Sequence, residues 1–586
     1  GYQDNFRSTV VAALEFEQKL NFITEGLRFK ALASFKNWSS TTNSASAGWN
    51  KYHLQDFSVD DNGVYSFVTR LQNESGGEVS TDLKPGVANS GDRRFYFQAI
   101  MDYNRTFGKH DVNAMFIYNQ DELVTQLFSG DLIAALPKRK QGVAARLSYA
   151  YDGKYLAEVN MGYNGSENFA KGHRWGFFPS IAVGYNISEE AFFEPLKNVF
   201  SNMKIRASWG LVGNDNIGGA RFVYMPTINL TGTGYTTGLD GDITYKGPVY
   251  SRYGNPEVTW EVGKKVNVGL DLQLFNSLNL TMDYFHETRT DIFQERGTIP
   301  QYLGTAGTKV FGNLAAMKNQ GFDFAADFNK KIGKDWFISF KGTFTYAHNE
   351  ITKYDESPKY AFQSKVGQSA NIPSIMISDG LFKDPDDVKN SNQQIGGNLS
   401  AGDIKYVNIS KLYGYDDDIV DISDWVWAKN PTVPEIVYGF GPSIRWKNLD
   451  FSFFFQGVAK VSLVMSDFHP FGDNSLRNVL TWIADDRWSP DNQNINATYP
   501  RLTRDTSVNN TQRSDYWLRN AAFIKLKNAE IGYTYKNMRF YVSGMNLATF
   551  SPFKHWDPEQ GGGNGLKYPT QRVFNFGFQM TINNNR

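Results

Sequence analysis

Stretches of about ten residues alternate between apolar and polar positions along most of the chain. Met203, Ile205, Ala207, Trp209 and Leu211 alternate with Lys204, Arg206, Ser208 and Gly210. Val266, Val268, Leu270, Leu272 and Leu274 alternate with Asn267, Gly269, Asp271 and Gln273. The last run sets Phe574, Phe576, Phe578, Met580 and Ile582 against Asn575, Gly577, Gln579 and Thr581. A period of two is the mark of a strand with unlike faces. In a soluble sandwich the apolar face would turn inward. In a membrane barrel it would meet lipid, and the polar face would line a wet lumen.

The pattern predicts strands near 8–20, 26–36, 93–107, 110–121, 142–152, 154–164, 177–187, 202–212, 260–275, 278–291, 314–329, 334–351, 435–447, 449–462, 517–535, 537–548 and 571–582. Short connections (21–25, 108–109, 153, 188–201, 276–277, 330–333, 448, 536) alternate with long ones (37–92, 122–141, 165–176, 213–259, 292–313, 352–434, 463–516, 549–570). A sandwich has no reason to gather its long loops at one end. An outer-membrane barrel has short periplasmic turns and long extracellular loops. The expected fold is therefore all-β, a transmembrane antiparallel barrel whose C-terminus faces the periplasm. About seventeen strands is an odd number, whereas single-chain bacterial barrels use even ones. With 22 strands, the size of plugged transporters, about five would precede residue 1.

Composition narrows the classes. Lys+Arg and Asp+Glu number 60 each, so there is no basic excess for nucleic acid. With no cysteine, thiol catalysis and Cys-ligated zinc are excluded. Mean hydropathy is −0.45, and no apolar run approaches the ~20 residues of a membrane helix. Aromatics reach 15%, which suits interfacial girdles. None of the seven histidines (His53, His110, His173, His286, His348, His469, His555) is paired at i, i+4. Gly232, Gly234 and Gly238 are spaced one residue too widely for a dinucleotide fingerprint. No catalytic residue, cofactor or metal site is expected, and the chain reads as a non-enzyme.

Several stretches, in order, resemble one family. They include NRTFGKHDVNAMFIY (104–118), the YAYDGKYL to RWGFFPS to ISEE segment (149–190) and KIRASWGLVGNDNI (204–217). NPEVTWEVGKKVNVGLD (255–271), DRWSPDNQNINATYPRL (486–502), YWLRNAAFIKLKNAEIG (516–532) and DPEQGGGNGLKYPTQRVFNFGF (557–578) follow. They are similar to the C-terminal barrel portion of SusC/RagA-type TonB-dependent outer-membrane transporters of Bacteroidota. The resemblance implies import of an oligosaccharide or peptide through a plugged barrel. A SusD-like surface lipoprotein would act as lid, and a TonB-ExbB-ExbD complex would supply the energy. Signal peptide, N-terminal extension, TonB box and plug are expected outside these 586 residues. A family-type GDIKY survives at 402–406, but VNIS at 407–410 replaces the usual acidic loop; Asp416, Asp417, Asp418 and Asp421 follow. They could hold a hard cation, yet without EF-hand spacing they read as a solvated acidic loop. The alternatives are a passive porin or structural barrel, and a secreted glycan-binding β protein.

Two groups of candidate site residues follow. Tyr413, Tyr415, Trp425, Trp427, Trp482 and Trp488 lie in long loops, where flat rings could stack on substrate or pack the loops together. Arg146, Glu158, Lys204, Arg206, Asp271 and Asp283 fall on the polar face, toward the lumen and a plug. GHRWGFFP (172–179) and 557–569 read chiefly as shapers of loop entry through their Gly and Pro.

Overall fold

The computed structural model describes residues 1–71, 82–125, 133, 136–300, 308–415, 417–466, 479–503 and 507–582. Seventeen strands form one sheet. They are β1 (Tyr2–Lys19), β2 (Leu27–Ser46), β3 (Lys84–Phe107), β4 (His110–Thr125), β5 (Lys138–Tyr151) and β6 (Tyr155–Ser166). Next come β7 (Trp175–Asn186), β8 (Phe200–Asn214), β9 (Glu261–Leu274), β10 (Leu278–Glu295), β11 (Phe311–Ile332) and β12 (Trp336–Lys353). The wall ends with β13 (Ile436–Trp446), β14 (Leu449–Ala459), β15 (Phe523–Tyr535), β16 (Met538–Phe550) and β17 (Val573–Met580). Each pairs antiparallel with its neighbours in the chain. Among the described residues no ladder joins β1 to β17.

Every predicted strand is present, with shifted ends. The predicted 517–535 splits because the Asn520 side chain accepts from the Ala522 N–H and turns the chain. Leu518–Asn520 then pairs with Ser462–Val464, and the wall strand starts at Phe523. The predicted 449–462 stops at Ala459, where Lys460 takes a left-handed φ of 51°. One turn departs from the length rule. Segment 187–199, wound into two 3₁₀ turns over the buried Phe193, is longer than the loop 167–174 at the other end. Apart from the seven-residue connection 20–26, the other turns are tight, and Asp152–Gly153 supplies the positive φ that a short hairpin needs.

The faces are inverted relative to a soluble protein. On β6, Tyr155, Val159, Met161 and Tyr163 are exposed, while Leu156, Glu158 and Asn160 between them are half-buried. Phe576 on β17 is 84% exposed. A continuous apolar face open to the surroundings, backed by an enclosed polar one, is stable only against lipid. Antiparallel pairing satisfies the backbone that crosses it. No helix among the described residues is long and apolar enough to cross a membrane.

Outward rings mark both edges of the band. Near the short turns His110, Tyr151, Tyr155 and Tyr185 contact in series at 5.0–6.5 Å, and Trp336 stacks on Trp446 at 5.6 Å. Toward the long loops stand Tyr284, Phe322 and Tyr346, and Tyr163 stacks on Trp175 at 4.7 Å. From Trp336 to Tyr346 the strand rises roughly 33 Å along its axis, about 25 Å across a bilayer at ~40° tilt.

Candidate functional site

Strand alternation and register place all six polar-face candidates on the inner side. Arg206 forks across two strands: Nε donates to Asp271 at 3.0 Å, and both Nη atoms donate to Asp283 at 2.7 Å. Gly269 lies between them in register, and a Cβ there would stand 2.5 Å from the guanidinium carbon. Glu158 accepts from Ser148 and Asn160, both at 2.9 Å, with Arg146 beside it on the same face. Lys204 joins Glu158 and Arg206 around a hollow of about 410 Å³ in the inner wall.

The same arrangement recurs where the alternation was not followed through. Arg28 bonds Asp102 and Glu17, Arg289 reaches Glu287 and Glu261, and Arg539 binds Asp450 and Glu530. The parity of each strand would have flagged these groups. Arginine forks carboxylates with fixed geometry, which holds neighbouring strands in register and leaves a wet, orienting surface.

The long loops fold together. Segments 354–435, 460–522 and 551–572 share a core that includes Met376, Ile404, Val420, Leu463, Trp517 and Phe553. A buried polar network ties it. Asp403, fully buried, accepts from Arg501 Nε at 2.7 Å and Nη2 at 3.1 Å, from Asn510 at 2.8 Å and from the Ser400 N–H at 2.9 Å. Asn509 and Asn510 pair with the backbone of Ile404, and Trp517 Nε1 donates to the Asn510 carbonyl. Four donors on one buried carboxylate offset its desolvation. Burial also pushes the Tyr499 hydroxyl up to about 12.

Lys525 fastens this lobe to the wall. It is 1% exposed on the inner side of β15 and donates to Asp557 at 2.7 and 3.0 Å and to Glu559 at 2.6 Å. Burial alone would raise the Asp557 carboxyl. The Lys525 hydrogen bonds, the Glu559 N–H and the Lys525 charge outweigh it and hold the group below its usual range. Glu559 is lowered in the same way, by Lys525 and Lys527 against burial.

The loop aromatics separate. Tyr413 and Tyr415 are 61% and 50% exposed and stand on Phe362 and Tyr360 at 4.6 and 4.4 Å, a surface cluster of four rings. Trp482 is exposed on one side and stacks on His555 at 4.7 Å; burial, then the Arg519 charge, holds that imidazole below its ordinary value. Trp425 and Trp427 are half-buried, and Trp427 Nε1 donates to the Ser364 carbonyl at 2.9 Å. Trp488, expected among the ligand-contacting rings, is instead core. It is 6% exposed beneath Gly402, whose φ of +85° brings the backbone onto the indole. Sequence spacing gave Trp488 the same standing as Trp482, because nothing local records which ring the lobe covers.

The acidic run is engaged in local structure. Asp417 accepts from the Ile419 N–H, and Asp421 caps a 3₁₀ turn through the Ser423 N–H; Asp416 lies outside the described residues, as does His469. Three of the motif stretches, GHRWGFFP, NPEVTW and GND, lie against one another and their surroundings through structural contacts. Trp260 of NPEVTW donates to the Arg174 carbonyl of GHRWGFFP at 3.0 Å and packs with Phe169 and Ile217. Asp215 of GND accepts from Ser166 and Lys140, both at 2.7 Å.

A lipid-facing wall with a polar interior and a packed lobe at one end defines a membrane-spanning barrel with a roofed mouth. The chain belongs to the TonB-dependent receptor-like β-barrel family, whose pattern matches residues 2–547; the family is one of outer-membrane barrels. It is 25% identical to TonB-dependent receptor P3 of Formosa agariphila over 98% of this chain and 58% of that protein. It is 27% identical to TonB-dependent receptor SusC of Bacteroides thetaiotaomicron over 74% of this chain and 43% of that one. The chain thus spans about half the length of these curated relatives. The solved RagAB peptide transporter shares the fold, with a TM-score of 0.70 at 19% identity over 99% of this chain and 62% of that chain.

Proposed function

We propose that this chain forms the wall and roofed mouth of an energy-coupled importer that carries an oligomeric nutrient, glycan or peptide, across the outer membrane. The observation that carries the reading is the half-buried inner face of arginine–carboxylate forks leading to a lobe built from three long loops. A barrel that only let solutes diffuse would have little use for a roof with its own core. Arg146, Glu158, Lys204, Arg206, Asp271 and Asp283 face a plug or the permeating ligand. Tyr413, Tyr415 and Trp482 present rings to it, and Trp425 and Trp427 support them. A SusD-like lipoprotein closes the mouth as a lid. TonB-ExbB-ExbD pulls from the short-turn side, which faces the periplasm and carries the C-terminus. The glycan rests on the resemblance of the sequence stretches to SusC/RagA-type transporters, and the peptide on the same resemblance together with the fold shared with a peptide transporter.

The test is uptake of a labelled oligosaccharide and a labelled peptide by cells making the full-length protein, with and without a protonophore. Accumulation of one of them should stop when the proton gradient collapses, and Y413A/Y415A should weaken uptake severalfold. Uptake indifferent to the protonophore would mean a passive pore and refute the proposal.

A further inference from the structure

The outer face of β9–β12 changes character in ordered rows toward the long loops. Leu270, Met282, Phe324 and Phe344 are register partners in one row, and Val268, Tyr284, Phe322 and Tyr346 in the next. Two residues further along, the row reads Val266, His286, Gln320 and His348. The one after reads Lys264, Thr288, Lys318 and Glu350. Each step is roughly 7 Å along the strand, so the wall passes from hydrocarbon-facing through aromatic to charged over about 20 Å of strand, roughly 15 Å across the bilayer at ~40° tilt.

Beside these rows, Lys460 lies with Nζ 4.9 Å from the Tyr346 ring centre and 3.4 Å from Glu435, which also meets His348 at 2.5 Å. In both ion pairs the lysine is the more exposed partner. The Lys460 side chain is 50% exposed against 10% for Glu435, and Lys318 is 36% exposed against 30% for Glu350, 2.9 Å away. Lys264 is exposed. The carboxylates thus hold two of the lysines in place, Glu435 from a buried position. Lys264 and Lys318 are two strands apart, roughly 10 Å, near enough for their long stems to converge.

We propose that this patch of outer wall, centred on Lys264, Lys318 and Lys460, binds the phosphate-bearing headgroup of a lipid in the leaflet on the long-loop side. Its acyl chains would lie along the Phe322–Phe344 rows. A lone phosphate would gain only the lysines, whereas a lipid gains the apolar rows beneath them as well; this decides for the lipid. The proposal rests on the wall crossing a membrane and is independent of what the protein transports.

The experiment is native mass spectrometry of the full-length protein in detergent, titrated with diphosphoryl lipid A, the same lipid stripped of phosphate, and inorganic phosphate. The diphosphoryl lipid should be retained preferentially. K264A/K318A should lower its affinity on the order of thirtyfold while leaving the stripped lipid unchanged, with heat-modifiable gel mobility reporting an intact barrel. Equal retention of the phosphorylated and stripped lipids by the unaltered protein would overturn the inference even if the variant failed to fold. So would unchanged affinity in the folded variant, or inorganic phosphate binding as tightly as the lipid.

Discussion

Replacing Lys525 by Met removes one charge from the joint between roof and wall while keeping its length and apolar stem. The side chain is 1% exposed and holds two carboxylates, so its loss strands Asp557 against a partly dry surface and leaves Glu559 to Lys527 alone. Breaking a buried pair costs about 3–5 kcal/mol. Here the carboxylates are 18% and 34% exposed, so solvent recovers part of that, leaving about 2–3 kcal/mol. This corresponds to a roughly fiftyfold shift toward the open state of 551–572. Amide hydrogen exchange across that segment is the assay, run from pH 7.5 down to 4. Both carboxyls titrate below their unfolded values. Their stabilisation is therefore complete above the unfolded pKa of about 4 and is lost as pH falls through the lower folded values. The unaltered protein should keep its protection to the bottom of the range, and Lys525→Met should lack it throughout. Protection in the variant within a factor of three of the original at neutral pH would refute the clamp.

Three further outcomes are expected. Leu272→Arg, whose register row through Leu280 and Ala326 to Gly342 lies near midway between Trp336 and Tyr346, should cost about 2–4 kcal/mol of stability in a bilayer, measured by urea unfolding in liposomes; a neutral result would contradict lipid contact. Gly402→Ala forces a Cβ to 2.2 Å from the Trp488 ring at a φ of +85°. It should lower lobe stability by about 2–4 kcal/mol, read as an earlier transition in tryptophan fluorescence on heating. Arg501→Met leaves the fully buried Asp403 without its fork. A loss of about 3–5 kcal/mol should appear as protease cleavage within 354–435 under conditions that spare the parent; resistance equal to the parent's would count against it.

The wall was legible because every second residue reports its surroundings. Tyr155 through Tyr163 and Phe574 through Met580 announce a lipid face by parity alone, and tight turns such as Asp152–Gly153 punctuate it. The lobe was not legible, since its order comes from pairs such as Asp403–Arg501 and Lys525–Asp557 that no local period connects. The same lack of a local signal concealed the difference between Trp482 and Trp488. The inner-face candidates were placed by parity, but the partners that Arg206 would choose depended on Gly269 opening the path across the strands.

The joint construction of the roof limits how such proteins can diversify. Asp403 comes from one loop, Arg501 and Asn510 from the next, and Phe553 from a third. A chimaera carrying a single transplanted loop would bring half of each partnership and leave its counterpart orphaned. If the proposed import role holds, altered cargo preference should be transferable between relatives only when all three segments move as one cassette, with the strands beneath left untouched.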